Sequence, residues 1–293
     1  MIIIDFNAIA MATVFGQAKY GKFDEHTIKH LILNQIRVHN KKFREEYGRI
    51  YIACDATHGW RKQYFKEYKA SRATTRVKDD LDWNEIYGWL NSLKADLIEY
   101  FPYPVIEVDT AEADDIIACL VESTQEFGNS EKVMIISGDK DFIQLQRYKN
   151  VKQYSPIQHK MVTDPNPQKF IFEHVLRGDA CDGVPNVLSD DDTFIDENKR
   201  QKPLKAKQID AWMTEIKKGK TPKEVFPPDV YKNFKRNEKM IHLDAIPTDV
   251  VEKINEEINK IEPPSNKKIF NYLLKGRYGQ LINSPQDFYV KDK

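Results

Sequence analysis

The sequence predicts an α/β fold: a mostly parallel central sheet with helices on both faces, followed by a smaller all-α domain. Four short apolar runs, "MIIIDF", "RIYIACD", "YPVIEVD" and "KVMIISGDKDF", read as strands buried on both faces. Segments of helical spacing separate them, and strands alternating with helices indicate a parallel sheet covered on both sides. Beyond "DPNPQ" the pattern is helical to the end, in short pieces broken by Pro222, Pro227, Pro228, Pro247, Pro263 and Pro264.

Each element has its own warrant. "MIIIDF" ends in Asp5, and "RIYIACD" ends in Asp55. Between them, "IKHLILNQIRVHNKKF" sets Ile28, Leu31, Ile32 and Ile36 at helical spacing. "YPVIEVD" is the third strand, and "TAEADDIIACL" is the helix after it. Acidic residues suit a first helical turn, where free N–H groups and the macrodipole favour anions. Asp139 and Asp141 lie just past the fourth strand, where either could cap the helix starting near Phe142. "VKQYSPIQHKMVTD" reads as a hairpin. The prolines of "DPNPQ" mark a linker. The expected division is therefore an α/β domain over residues 1–165 and a helical domain over 166–293. Within the latter, "VLSDDDTFIDENKRQK" reads as a polar, mobile loop.

A chain of 293 residues is long enough for a real core and two domains. Its hydrophobic share is 41% and its charged share 31%, as suits a soluble protein. Lys plus Arg and Asp plus Glu number 45 each, so net charge points to no polyanionic partner, and only the distribution of charge can. Cys54, Cys119 and Cys181 are few, odd in number and never spaced as CxxC. That argues against disulfides and a thiolate zinc site, and fits a reducing cytoplasm. Cys54 and Cys119 fall in apolar runs and are expected to be buried small hydrophobes. The apolar start lacks a basic n-region and is interrupted by Asp5, unlike a signal peptide. No run is long enough to span a bilayer.

Ligand sites in open parallel sheets lie beyond the carboxyl ends of the strands. Asp5, Asp55 and Asp139 occupy that end of three strands, and Glu112, Asp114 and Asp115 open the helix after another. A helix dipole explains one acidic turn, but not four acidic clusters at one sheet edge. Packed carboxylates stay ionised together only when a cation neutralises them. Oxygen ligands without His or Cys select hard ions, so Mg²⁺, with Mn²⁺ as its substitute, is favoured over Zn²⁺. The carboxylates suffice for two ions, as in two-metal phosphoryl transfer. Asp109 and Asp115 are expected to be structural.

The stretch "HGWRKQYFKEYKASRATTRVK" carries Arg61, Lys62, Lys66, Lys69, Arg72, Arg76 and Lys78 against one acid, Glu67. Trp60, Tyr64, Phe65 and Tyr68 interleave. Basic residues track phosphates, and aromatic faces accept unstacked bases. On a helix, Tyr64, Tyr68 and Arg72 would share one face. The alternative is an amphipathic surface helix.

"IIIDF", "IACDATHGWRKQYFKEYKASR", "AEADD", "SGDKDF" and "GDACDGVP" occur in the order found in 5′-nucleases, and the chain resembles the flap endonuclease and 5′–3′ exonuclease family over nearly its full length. "IKHLILN" and "NVKQYSP" look similar to a bacteriophage branch of it. The resemblance implies a PIN-like nuclease domain with a basic arch over residues 58–80, and a C-terminal domain that binds duplex DNA. It implies that Asp5, Asp55, Asp114 and Asp139 form a first metal cluster with Glu112 nearby, and Asp141, Asp179 and Asp182 a second. Tyr68, Lys69 and Arg72 match a "YKxxR" element whose Lys and Arg contact the scissile phosphate region. Arg61, Lys62 and Lys66 would meet nucleic acid in the arch. Relatives usually continue "GDxxDNxPGVxGIGxKTA", whereas this chain lacks the second glycine hairpin, which leaves Lys202, Lys205 and Lys207 to grip the duplex.

The implied enzyme is an Mg²⁺-dependent 5′–3′ exonuclease and 5′-flap endonuclease. It would act on RNA–DNA hybrids and on flap or forked DNA, removing RNA primers in lagging-strand replication. A single-strand-binding protein and a sliding clamp are the implied partners, and a cytoplasmic monomer the implied state. One rival is a phosphatase with an aspartyl nucleophile, although "DFN" offers only Asp5 where such enzymes carry an acidic pair. Another is a non-catalytic DNA-binding scaffold. Phe288 and Tyr289 in the tail could dock on a clamp or tuck against the domain.

Overall fold

The computed structural model describes residues 1–70, 81–125 and 130–290. Its sheet has the order β3-β2-β1-β4-β5-β6. The strands are β1 (Ile2–Asp5), β2 (Ile50–Cys54), β3 (Val105–Glu107), β4 (Val133–Ile136), β5 (Val151–Ser155) and β6 (Lys160–Val162). All neighbours pair in parallel except β5 and β6, the expected hairpin. Ile2, Ile3 and Ile4 are fully buried, as are Val133, Ile135 and Ile136, so the continuous apolar runs do lie between two helical layers. After β1 the chain moves out to β2 and β3, then returns to place β4 on the other side of β1. That reversal makes the carboxyl ends of β1 and β4 a topological switch point, where open α/β sheets bind ligands.

The chain forms two compact units. The first comprises residues 1–57, 82–163 and 248–293, and the second 58–81 and 164–247. The grouping departs from a single division at 165 in two places: residues 58–81 join the second unit, and the chain from Thr248 onward joins the first. In the first unit, α1 (Phe6–Ala18) and α2 (Glu25–Tyr47) follow β1. Asp24 caps α2 by accepting from the Thr27 N–H at 2.8 Å, and Gly48, at φ 81°, ends it.

The C-terminal segment returns because α2 offers it polar partners beside an apolar slot. Arg37 pairs with Asp287 at 2.8 Å, and the Asn40 amide donates to the Asp287 and Tyr289 carbonyls. Phe288 is fully buried, with its ring 5.4 Å from that of Phe101 and its carbonyl accepting from the Tyr103 hydroxyl. The tail aromatic is therefore tucked into the domain. Of the two placements the sequence leaves open, Phe288 takes the tucked one, while Tyr289 is half-buried.

The second unit begins with α3 (Trp60–Tyr64). The long helix expected over this stretch stops there, because Phe65 is extended (φ −133°, ψ 105°) and Lys69 is left-handed (φ 54°). Tyr64 is 58% exposed and Tyr68 only 3%, so they share no face. Arg72, with Arg76 and Lys78, lies outside the described residues.

Helix α4 (Trp83–Tyr100) and α5 (Ala113–Ser123) belong to the first unit, and α6 (Pro167–Arg177) and α7 (Ala206–Lys217) to the second. After the one-turn α8 (Pro222–Val225) comes α9 (Pro228–Ile241), whose polar face holds the loop expected to be mobile. Asn237 donates to the Val175 and Pro185 carbonyls, both at 2.8 Å, and Asn233 to Val187 and Ser189. The buried Arg236 guanidinium donates to Pro185 and pairs with Asp191. Val187, Ser189 and Thr193 are buried, so the acidic stretch is a fastened series of turns. Helix α10 (Thr248–Lys260) then packs on α5 in the first unit.

Candidate metal centre and nucleic-acid interface

The acidic edge forms at the switch point of the first unit. Asp5 ends β1 and caps α1, with one carboxylate oxygen accepting from the Ala8 N–H at 3.0 Å. Its other oxygen accepts from the Ser137 hydroxyl, past the end of β4, at 3.0 Å. Asp55, past β2, accepts from the Asn7 amide and from the Ala113 N–H, both at 2.7 Å. Asp139 accepts from the Asp141 N–H at 2.9 Å and so caps the 3₁₀ turn Lys140–Arg147.

Burial first, then the charges of Asp55 and Asp139, push the Asp5 carboxyl up to about 7. The part of that rise due to Asp55 and Asp139 is the repulsion of crowded carboxylates, which a cation would relieve. Asp5, Asp55 and Asp139 offer hard oxygen donors only, so the donor set fits Mg²⁺ or Mn²⁺. At the start of α5, the Glu112 carboxylate accepts from the Asp115 N–H, and Asp115 returns the bond at 2.9 Å. Asp115 is fully buried in this capping box, the structural role expected of it. Asp114 is half-buried in the same first turn, and Asp109 lies exposed before it.

Three residues that position these acids are missing from the sequence reading. Asn7 and Ser137 bond Asp55 and Asp5 directly. Gln153 of β5 is fully buried, and its amide donates to the carbonyls of Ser137 and Asp139 at 3.0 and 2.5 Å. In the strand Val151–Ser155 Gln153 alternates with exposed Lys152 and so faces inward, where a buried amide needs partners.

The other predicted acids lie in the second unit. Asp179 accepts from the N–H groups of Cys181 and Asp182 and stands 3.7 Å from His174. Asp182 accepts from the Tyr68 hydroxyl at 2.9 Å, and its carboxylate is 3.8 Å from the Lys69 ammonium. The Lys69 N–H also donates to the Asp182 carbonyl at 2.8 Å. Gly178 is required here. At φ 69° it leaves a Cβ only 2.3 Å from the Val184 carbonyl.

The predicted basic residues divide by burial. Arg61 is 2% exposed, with its guanidinium on the Trp60 ring and donating to the Met240 carbonyl, so it is a packing residue and not a surface contact for nucleic acid. Trp60, Phe65 and Tyr68 are buried with it, so among the four interleaved aromatics Tyr64 alone presents a largely exposed ring. Lys62 and Lys66 are exposed. Lys202, Lys205 and Lys207 are exposed at and just before the start of α7. Among the described residues, no helix is long and apolar enough to cross a membrane.

Residues 166–288 match the family model described as T4 RNase H, C terminal. Ribonuclease H of Enterobacteria phage T4 is 31% identical over 98% of this chain and 95% of its own. A 5′–3′ exonuclease of Buchnera aphidicola is 30% identical over half of each chain. Among solved structures, the phage T5 D15 protein co-crystallised with metal ions superposes with a TM-score of 0.61, covering 89% of this chain and 99% of that one. A T5 D15 flap endonuclease complex with DNA and metal ions gives 0.61 as well. At 16% and 15% identity these likenesses are ones of fold. Residues 1–173, more than half of the chain, match the model described as 5′–3′ exonuclease, N-terminal resolvase-like domain, and by that match the chain belongs to the 5′–3′ exonuclease family of nucleases.

Proposed function

We propose that this protein is a divalent-metal 5′-nuclease that removes RNA primers and 5′ flaps from replicating DNA, with Mg²⁺ as its ion. The observation that carries the reading is the convergence of Asp5, Asp55 and Asp139 at the switch point, with Asp5 pushed up to about 7. Asp5, Asp55, Asp114 and Asp139, with Glu112, would hold one ion, and Asp141, Asp179 and Asp182 the other. When bound, the two ions would stabilise the attacking and leaving oxygens of a phosphodiester displacement.

The remaining steps belong to the chain itself. Asn7 and Ser137 orient the Asp55 and Asp5 carboxylates, and Gln153 fixes the backbone that presents Asp139. Asp182 gathers Tyr68 and Lys69, so the tyrosine acts by positioning and the ammonium adds charge at the phosphate. Arg72 would act with Lys69. Lys62 and Lys66 would guide the single strand, and Lys205 and Lys207 would meet duplex phosphates. The substrates are RNA–DNA primer hybrids and 5′-flap or forked DNA, met in the cytoplasm by a monomer working beside a single-strand-binding protein and a sliding clamp.

Incubating a 5′-labelled RNA–DNA primer duplex and a 5′-flap DNA with the protein, in Mg²⁺ and in EDTA, tests this reading. Short products released from the 5′ end only in Mg²⁺ are expected. Binding without cleavage would favour the scaffold reading instead.

A further inference from the structure

An aromatic cluster in the first unit is not used by the chemistry above. Asn7, Met11 and Phe15 fall at i, i+4 and i+8 on α1 and so share one face. At one end of that face the Asn7 amide donates to Asp55, inside the acidic site. At the other end, Phe15 is 46% exposed and meets Trp83 of α4 edge-on, with ring centres 5.6 Å apart. Trp83 in turn contacts Tyr87 at 5.9 Å.

Beside this ridge runs a row of small residues, Ala8, Ala12 and Gly16. A Cβ added at Gly16 would meet nothing within 4 Å, so the surface there is open. Between Phe6 and Phe23 the only charged residues are Lys19 and Lys22, both exposed beyond Phe15. The face thus begins at carboxylates and passes small and aromatic side chains to Phe15 and Trp83, where the exposed Asp82 and Glu85 open α4.

We propose that this face, with Trp83 and Tyr87 at its far end, is the track on which the unpaired 5′ strand lies, with a base stacked on Phe15. The proposal rests on the nuclease reading and adds to it a site for substrate selection. Unpaired bases stack on aromatic rings without regard to sequence, and the ridge is continuous through Asn7 with the acidic site where the nucleic acid is cut. Eight residues of helix span about 12 Å. That distance corresponds to roughly three stacked nucleotides at 3.4 Å each. A one-nucleotide overhang leaving the acidic site therefore falls short of Phe15, whereas a longer one reaches it.

The test measures binding of hairpin duplexes with 5′ overhangs of one and of six nucleotides, with Ca²⁺ in place of Mg²⁺ to withhold turnover. Phe15→Ala is expected to weaken the six-nucleotide complex about tenfold. It should leave the one-nucleotide complex unchanged, and Phe15→Tyr should bind both as the parent protein does. Unchanged affinity of Phe15→Ala for the longer overhang would overturn the proposal, as would an equal loss on both substrates. Failure of the nuclease reading shows separately, as absence of Mg²⁺-dependent cleavage of either hairpin by the unaltered protein.

Discussion

Asp5 carries a consequence that metal-free protein can reveal. Its carboxyl titrates near 7 in the fold against an ordinary value of 3.8, chiefly through burial and then through Asp55. Between those values the native state keeps a proton that the unfolded chain has released, so the stability Asp5 contributes is complete below about pH 4 and lost as pH rises through 7. His39 works in the opposite direction, because burial drives its imidazole down to about 4 and its contribution is lost as pH falls from 6.5. Comparing Tm from pH 4 to 8 for the parent and Asp5→Asn, both in EDTA, isolates the first effect. The parent should lose stability relative to the variant as pH rises, and added Mg²⁺ should restore more at pH 8 than at pH 6. A second residue, Gly178, is held by its conformation. Gly178→Ala should cost about 2 kcal/mol or more in urea unfolding, because φ 69° and the Val184 carbonyl both oppose a side chain. Single residues were the least legible scale. Arg61 looks like an arch cation in the sequence, yet the Met240 carbonyl that buries it lies 179 positions away.

At the level of elements, β1 and β4 were readable because both faces of the sheet are covered there and their positions are buried. Asp5, Asp55 and Asp139 were readable because each lies at or just past the end of an apolar run. What escaped was support that crosses between strands. Gln153 sits on β5 and serves the carboxyl end of β4, a relation fixed by register, in which Ile135 lies opposite Gln153. Gln153→Leu should strand the Ser137 and Asp139 carbonyls and cost about 2 kcal/mol, read by denaturant unfolding. Cleavage should fall with it, because the backbone that presents Asp139 loosens. The basic stretch misled for a related reason. Its helical spacing is real, but Phe65 and Tyr68 are drawn into the second unit, and the helix ends after one turn.

For the molecule as a whole, the chain order of the motifs carried the family, while the grouping of segments stayed hidden. Nothing local in "SPQDFYV" states that Phe288 will fill a slot beside Phe101, or that Asp287 will meet Arg37. Ending the chain at Ser284 should therefore destabilise the first unit by about 3–5 kcal/mol, the cost of emptying a buried aromatic site, and lower its Tm accordingly. The central claim is that the carboxylates at the β1–β4 switch point perform the cleavage, and Asp139→Asn tests it most directly. The substitution is close to isosteric at an exposed position, so circular dichroism and Tm should match the parent. Cleavage of a 5′-labelled RNA–DNA primer duplex in Mg²⁺ should vanish in that variant while duplex binding persists. Full cleavage by folded Asp139→Asn protein would contradict the account.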